Sequence, residues 1–158
     1  MNTITHRKAE ASDAEEVAEV LVENYNIKDK EEAKRVFIEE LGMYNYLVAI
    51  DGNKIIGIGC WRVHGLPKHA LAEIGRVATL HSYQGKGNTT KILGKLVRDA
   101  DKFYKSHNTK LRKVYAHVHS SNKKAQEFYE RSGLIKEAVL KDHYYQGEDE
   151  YVYSMFMD

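Results

Sequence analysis

The 158-residue sequence has one cysteine, one proline and one tryptophan, and its charges nearly cancel: 24 Lys+Arg against 23 Asp+Glu leave +1. The single cysteine, Cys60, excludes an intramolecular disulfide and a four-cysteine zinc module. The charge balance argues against a polybasic nucleic-acid binder, which needs a surplus of phosphate-neutralising side chains. No run reaches the roughly 18–20 apolar residues that span a bilayer. Residues 1–16 lack the apolar stretch of a signal peptide. These absences point to a cytoplasmic protein with neither nucleic acid nor membrane as a partner. There is no internal repeat, low-complexity tract or linker, and the sole proline, Pro67, marks a loop within 64–69. What is present is core material, 42% hydrophobic residues, over a length that suits one domain spanning 1–158.

Periodicity gives the element order. Residues 3–8 read as a short strand, followed by a helix whose start looks like a capping box with Ser12 capping and Glu15 reaching back. Ala14, Val17, Ala18, Leu21 and Tyr25 then keep helical spacing. A second helix is expected over 30–41, with Val36, Phe37 and Leu41 inward and Gly42 as its stop. Strand-like runs 46–50 and 54–61 flank the turn Asp51-Gly52-Asn53. A strand follows over 71–80, then a long helix over 87–106 burying Ile92, Leu93, Leu96, Val97, Ala100 and Phe103. Residues 113–119 alternate as a strand, 121–131 read as a helix ending at Gly133, and 134–140 with 151–156 form an antiparallel pair around 146–149. The order β-α-α-β-β-β-α-β-α-β-β implies a parallel strand pair within an otherwise antiparallel sheet.

The most informative stretch is Val77-Ala78-Thr79-Leu80-His81-Ser82-Tyr83-Gln84-Gly85-Lys86-Gly87-Asn88-Thr89. A strand ends, a glycine-containing turn follows and a long helix begins. Unpaired N–H groups and the positive end of the helix dipole meet there, and glycine lets backbone approach an anion closely. The same pattern also serves as a plain packing turn. A P-loop needs Gly-Lys-Ser/Thr and a dinucleotide fold needs Gly-x-Gly-x-x-Gly; neither is present.

Gln84-Gly85-Lys86-Gly87-Asn88-Thr89 resembles the Gln/Arg-x-x-Gly-x-Gly/Ala signature of the GCN5-related N-acetyltransferases (GNAT). Residues 122–134, Asn-Lys-Lys-Ala-Gln-Glu-Phe-Tyr-Glu-Arg-Ser-Gly-Leu, resemble that family's Asn-x-x-Ala-x-x-x-Tyr-x-x-x-Gly-Phe motif. Tyr144-Tyr145-Gln146-Gly147-Glu148-Asp149-Glu150-Tyr151 is similar to the Tyr-Tyr…Gly-Glu-Asp-Ala-Tyr hairpin of the protein N-terminal acetyltransferases. The resemblance covers the chain and is strongest from Glu73 onward. It implies an α/β GNAT fold: a mixed, mostly antiparallel sheet of about seven strands, with a central parallel pair splayed around acetyl-CoA and about four flanking helices.

The resemblance also implies roles. The backbone of Val77, Ala78 and Thr79 would pair with the pantetheine arm and steady the oxyanion. Gln84, Gly85, Lys86, Gly87, Asn88 and Thr89 would hold the pyrophosphate, Thr89 standing where the family has glycine or alanine. Asn122 would bond the cosubstrate, and Tyr129 would protonate the leaving sulfur. The base is Glu73, as in histone-type members, or His117, where N-terminal acetyltransferases carry a glutamate, or water between them. Against an ammonium of pKa about 10.4, an ordinary imidazole leaves a gap of roughly 5 kcal/mol and an ordinary carboxylate roughly 8 kcal/mol, so histidine is the better-matched base. Phe128 and Tyr129 also read as plain helix core, Glu73 as a surface strand residue and His117 as a packing residue.

The remaining candidates are weaker. His64, His69, His81, His117, His119 and His143 lack the spacing of a zinc site, and no metal is expected. Cys60 reads as a small buried hydrophobe. Lys86 and Arg131 suit phosphates or plain solvent, and Glu148–Glu150 could attract a cationic amine or be a hairpin tip charged merely for solubility. The partners implied are acetyl-CoA and an amine acceptor, with a homodimer as the assembly. The acceptor is a protein or peptide amine, N-terminal or lysine. The alternatives are a small amine (amino acid, diamine or polyamine) or a non-catalytic sensor of acyl-CoA.

Overall fold

Alternating apolar residues and short glycine turns set most of the elements. The computed structural model describes residues 3–158. In chain order these are β1 (Ile4–Lys8), α1 (Ala14–Asn24), α2 (Lys30–Leu41), β2 (Asn45–Asp51), β3 (Lys54–His64), β4 (Leu71–Thr79), α3 (Asn88–Ser106), β5 (Lys113–His119), α4 (Lys123–Arg131), β6 (Ile135–Tyr145) and β7 (Glu148–Phe156), with single 3₁₀ turns at Ala11–Asp13, Pro67–His69 and His81–Tyr83. The strands follow the order β1-β2-β3-β4-β5-β7-β6 in one mixed sheet. β4 and β5 run parallel, as the strand–helix–strand pattern implies. By contact the chain divides into two compact units, residues 1–62 with 75–99, and residues 63–74 with 100–158.

In the first unit, β1, β2 and β3 form an antiparallel meander. Its turn places Gly52 at φ 63°, a conformation that favours glycine. Val17 and Leu21 of α1, Phe37 of α2, Ile56 and Ile58 of β3, and Ile92 and Leu96 of α3 are fully buried. Burying each such side chain contributes about 1.5–3 kcal/mol. A Cβ at Gly57 would lie 2.7 Å from Ile92 Cδ1, and one at Gly59 2.5 Å from Ile92 Cγ2. The missing side chains are therefore what let α3 come close to β3.

The start of α1 differs from the expected capping box. Asp13, not Ser12, accepts the backbone N–H of Glu10 (2.7 Å) and is held by the two terminal guanidinium nitrogens of Arg7 (2.8 Å each). Glu15 reaches sideways to Lys30 of α2 (2.6 Å) instead of back to the helix start. Asp29 caps α2 by accepting from Glu32 N–H (2.9 Å). Gly42 ends α2 as expected but at φ −81°, so the stop does not depend on a left-handed glycine.

In the second unit, β5 lies antiparallel to β7 from Lys113↔Phe156 to His119↔Glu150, and β4 joins its other edge from Leu71↔Lys113 to Ile74↔Ala116. β5 alternates fully, with Val114, Ala116 and Val118 buried and the odd-numbered residues half-buried. Tyr104 is buried at the end of α3, where Phe103 was the expected core residue. The reason is polar: the Tyr104 hydroxyl donates to the Leu71 carbonyl, which a phenylalanine cannot do. β6 and β7 both run further toward their turn than expected, to Tyr145 and from Glu148. Between Leu140↔Glu150 and Tyr145↔Glu148, residues 141–144 stand opposite Asp149 alone, an irregularity that shifts the register.

Candidate active site

The first unit carries the strand–turn–helix site. Gly85 and Gly87 have φ of 77° and 80°, the left-handed region, and a Cβ at either would meet no heavy atom within 4 Å. Packing therefore does not explain these glycines. Backbone conformation does, and it leaves the loop's main chain open to a ligand. Lys91 N–H bonds Gly87 O (3.1 Å), closing the first turn of α3. The N–H groups ahead of it are the unpaired donors of a helix start, aligned with the positive end of the dipole. Asn88 Nδ2 donates to Tyr83 O (3.2 Å), and the Tyr83 hydroxyl donates to Asp51 Oδ2 (2.7 Å), so the loop is braced from behind. Lys86 Nζ sits 5.6 Å from the centre of the Tyr83 ring. The Thr89 hydroxyl lies 3.2 Å from the buried Thr79 hydroxyl. Such a cradle suits a pyrophosphate, so the residues present fit the phosphate end of acetyl-CoA.

From Val77 to His81 the chain is held at every second residue by the last residues of α1 and by Tyr25 just after it. Leu80 N–H bonds Ile56 O (2.8 Å), so even-numbered main-chain groups face β3 and those of 77 and 79 face the other edge. On that edge Tyr25 Oη donates to Val77 O (3.5 Å), Asn24 Nδ2 donates to Thr79 O (2.9 Å), and Glu23 Oε1 accepts from His81 N–H (2.7 Å). Gln84 Nε2 also lies 3.4 Å from Thr79 O. Ala78, between them, is buried. Arg76 donates two hydrogen bonds to Glu40, Nε to Oε1 (2.8 Å) and Nη2 to Oε2 (3.0 Å), and lies 4.4 Å from the Tyr25 ring centre; the Tyr46 hydroxyl donates to Glu40 Oε1 (2.6 Å). Burial pushes the Tyr25 hydroxyl up to about 12, which keeps it a donor. Burial, reinforced by Glu40, likewise pushes the Cys60 thiol up to about 12, so it is no nucleophile at neutral pH.

The second unit carries the ionisable side chains. By register Glu73 lies beside Tyr115, so Glu73, Tyr115, His117 and His119 share one face of the β4/β5 pair. Glu73 is 8% exposed, which removes its alternative reading as a plain surface strand residue. The Tyr144 hydroxyl approaches His117 Nδ1 (3.4 Å), and the Tyr115 hydroxyl bonds His64 Nδ1 (2.6 Å). Tyr129 occupies the opposite face: its ring stacks on Tyr153 at 6.3 Å, and Tyr153 is the register partner of the buried Ala116. The base candidates and the acid candidate therefore approach from opposite sides of the strand pair. The Tyr153 hydroxyl, pushed up to about 12 by burial and by Glu130, donates to Glu130 Oε1 (2.9 Å) beside them. Asn122 caps α4, its Oδ1 accepting Ala125 N–H (3.1 Å), which leaves its amide N–H groups as what it can offer a ligand.

The Acetyltransferase (GNAT) family profile matches residues 14–134. The chain belongs to this family. It is thus an acetyltransferase, and the family works with acetyl-CoA and an amine acceptor. It is 30% identical over 128 residues to an N-alpha-acetyltransferase of Saccharolobus solfataricus, covering 73% of this chain and 72% of that one. Its fold is similar to that of the ribosomal-protein-S18-alanine N-acetyltransferase of Escherichia coli (TM-score 0.78, 16% identity, 99% and 95% of the two chains). It is similar also to the spermidine N-acetyltransferase of Vibrio cholerae (TM-score 0.75, 20% identity, 97% and 93%). No helix among the described residues is long and apolar enough to cross a membrane. Among those residues no group of three or more His, Cys, Asp or Glu is placed to hold a metal ion.

The residue that sequence reasoning misplaced is Glu150. Read as part of a charged hairpin tip, it lies inside β7, 2% exposed, with its carboxylate accepting from His119 Nδ1. The signal that could have found it is its place in the third motif, where N-terminal acetyltransferases carry alanine.

Proposed function

We propose that this GNAT enzyme acetylates the N-terminal amine of a peptide or protein, by direct attack in a ternary complex. The observation that carries the reading is the Tyr144 hydroxyl beside His117 Nδ1, because it brings the tyrosine hairpin to one of the two base candidates. The 30% identity to an N-alpha-acetyltransferase supports it.

Acetyl-CoA supplies the thioester whose carbonyl carbon takes the amine and whose sulfur leaves. The loop Gln84–Thr89 holds its pyrophosphate through main-chain N–H groups, with Lys86 adding charge. Because the carbonyls of Val77 and Thr79 already accept from Tyr25 and Asn24, this edge offers the pantetheine arm and the oxyanion mainly its N–H donors. His117 takes a proton from the substrate ammonium, and Glu73 on the same face draws the cation in. The amine nitrogen forms its bond to the carbonyl carbon as the carbon–sulfur bond breaks, and the second proton of that nitrogen passes to solvent, leaving the neutral amide. Tyr129 gives its hydroxyl proton to the sulfur and is reprotonated from solvent. Phenol at about 10 and a thiol at about 8.5 make that donation uphill by roughly 2 kcal/mol, so Tyr129 assists a leaving group that can also depart unaided. The balance is one ammonium and one thioester in, one amide, one thiol and one proton out.

The test is acetyl-CoA-dependent thiol release against peptides of varied N-termini, the same peptides blocked at the N-terminus but carrying lysine, polyamines and free amino acids. Release confined to open N-termini is the expected result. Release with blocked lysine peptides or polyamines alone would move the acceptor to those classes.

A further inference from the structure

Glu150 and His119 face each other directly across β5 and β7. Glu150 is almost wholly buried, and among the described residues no lysine or arginine pairs with it. A carboxylate kept inside a protein is costly unless it is paired and hydrogen-bonded, and here that partner is an imidazole. An ionised carboxylate only accepts hydrogen bonds, so it holds the His119 proton on Nδ1. In the neutral ring, Nε2 is then an oriented acceptor. This is the way a second carboxylate fixes the tautomer of a histidine that works through its other nitrogen. The His119 ring lies 5.9 Å from that of Tyr144 and 5.7 Å from that of Tyr145, and both tyrosines are more than half exposed. The side chain therefore stands in an aromatic-walled position that solvent reaches.

Spacing says what such an acceptor reads. His117 and His119 are two residues apart on one strand face, about 6.6 Å along the chain. An extended peptide repeats its N–H groups on one side at the same interval, so its first and third nitrogens match the two imidazoles. We infer that the His119–Glu150 pair is a positioning device for the acceptor: His119 Nε2 accepts the N–H of the third residue of an extended peptide whose N-terminal nitrogen meets His117. This rests on the peptide reading above and adds the main-chain contact that sets the acceptor's register. Glu150, where the family's hairpin has alanine, makes the contact a property of this chain.

The test is a main-chain scan on the intact enzyme, with peptides N-methylated at the second or the third residue. Methylation at the third residue raises KM about tenfold, while methylation at the second costs less than threefold because that N–H points to the other side. His119→Ala raises KM for the plain peptide about tenfold and erases the difference between the two methylated peptides. Glu150→Gln, whose amide oxygen can still accept from Nδ1–H, keeps most of that difference. A merely structural role would lower stability or kcat without making the cost of methylation depend on His119. Equal KM for both methylated peptides with the wild-type enzyme overturns the inference while leaving the peptide reading intact. Failure to acetylate any open N-terminus overturns both.

Discussion

The loop of the first unit and the wall of the second are made of different materials. Gln84–Thr89 works through main chain: two glycines at φ 77° and 80° and the opening turn of α3. The wall works through side chains, Glu73, His117 and His119 on one face and Tyr129 on the other, each set by strand register or helix packing. A site of backbone donors tolerates changes of side chain but not of conformation. A site of ionisable side chains behaves the opposite way. Under the function proposed above, the loop would meet a pyrophosphate that is the same in every turnover, and the wall an acceptor that has to be chosen.

Substitutions can separate the two. The largest expected effect is on the wall: His117→Ala lowers kcat for the peptide acceptor about 10²- to 10³-fold, the usual contribution of a general base, with little change in the affinity for acetyl-CoA measured by calorimetry. Glu73→Gln acts less on kcat and more on the KM of a cationic acceptor, and equal losses in both variants would mean the two share the proton. Next comes the loop. Gly87→Val forces a branched residue into the left-handed region, at about 1–2 kcal/mol. It weakens acetyl-CoA binding about tenfold while kcat at saturation stays within a few-fold. An unchanged Kd would remove the backbone cradle from the account. Tyr129→Phe follows, with kcat down by about tenfold or less, because the thiolate leaves without full assistance; the loss should shrink with a thioester of more acidic thiol. The smallest effect is on stability alone. Lys30 and then Lys34 hold the exposed Glu15 carboxyl down to about 2, against 4.5 ordinarily. Its contribution to stability is therefore complete above about pH 4.5 and is lost as pH falls toward 2. Glu15→Gln flattens that part of a Tm-against-pH curve and leaves activity alone.

What the sequence made legible follows the same division. Glycine turns, the long helix and the alternating strand 113–119 have local causes, so their elements lie close to where periodicity put them. Tyr104 was hidden because Phe103 and Tyr104 stand three and four residues from Ala100, positions that periodicity alone treats alike; the deciding partner is a carbonyl 33 residues away. Ser12 and Glu15 looked like a capping box because nothing local shows that Lys30 will claim Glu15. At the site, the paired motifs pointed to the loop and to Tyr129. The face shared by Glu73, His117 and His119 needed the parallel register, and the burial of Glu150 needed β7 to continue past its turn residues to Glu148.

The most direct test of the central claim is to find which nitrogen carries the acetyl group after the enzyme acts on a peptide with both an open N-terminus and an internal lysine. Fragment-ion mass spectrometry reads this from one digest. The account predicts acetyl on the N-terminal nitrogen, and its loss when His117 is replaced by alanine. Acetyl on lysine alone, or an untouched peptide beside an acetylated polyamine in the same tube, would contradict it.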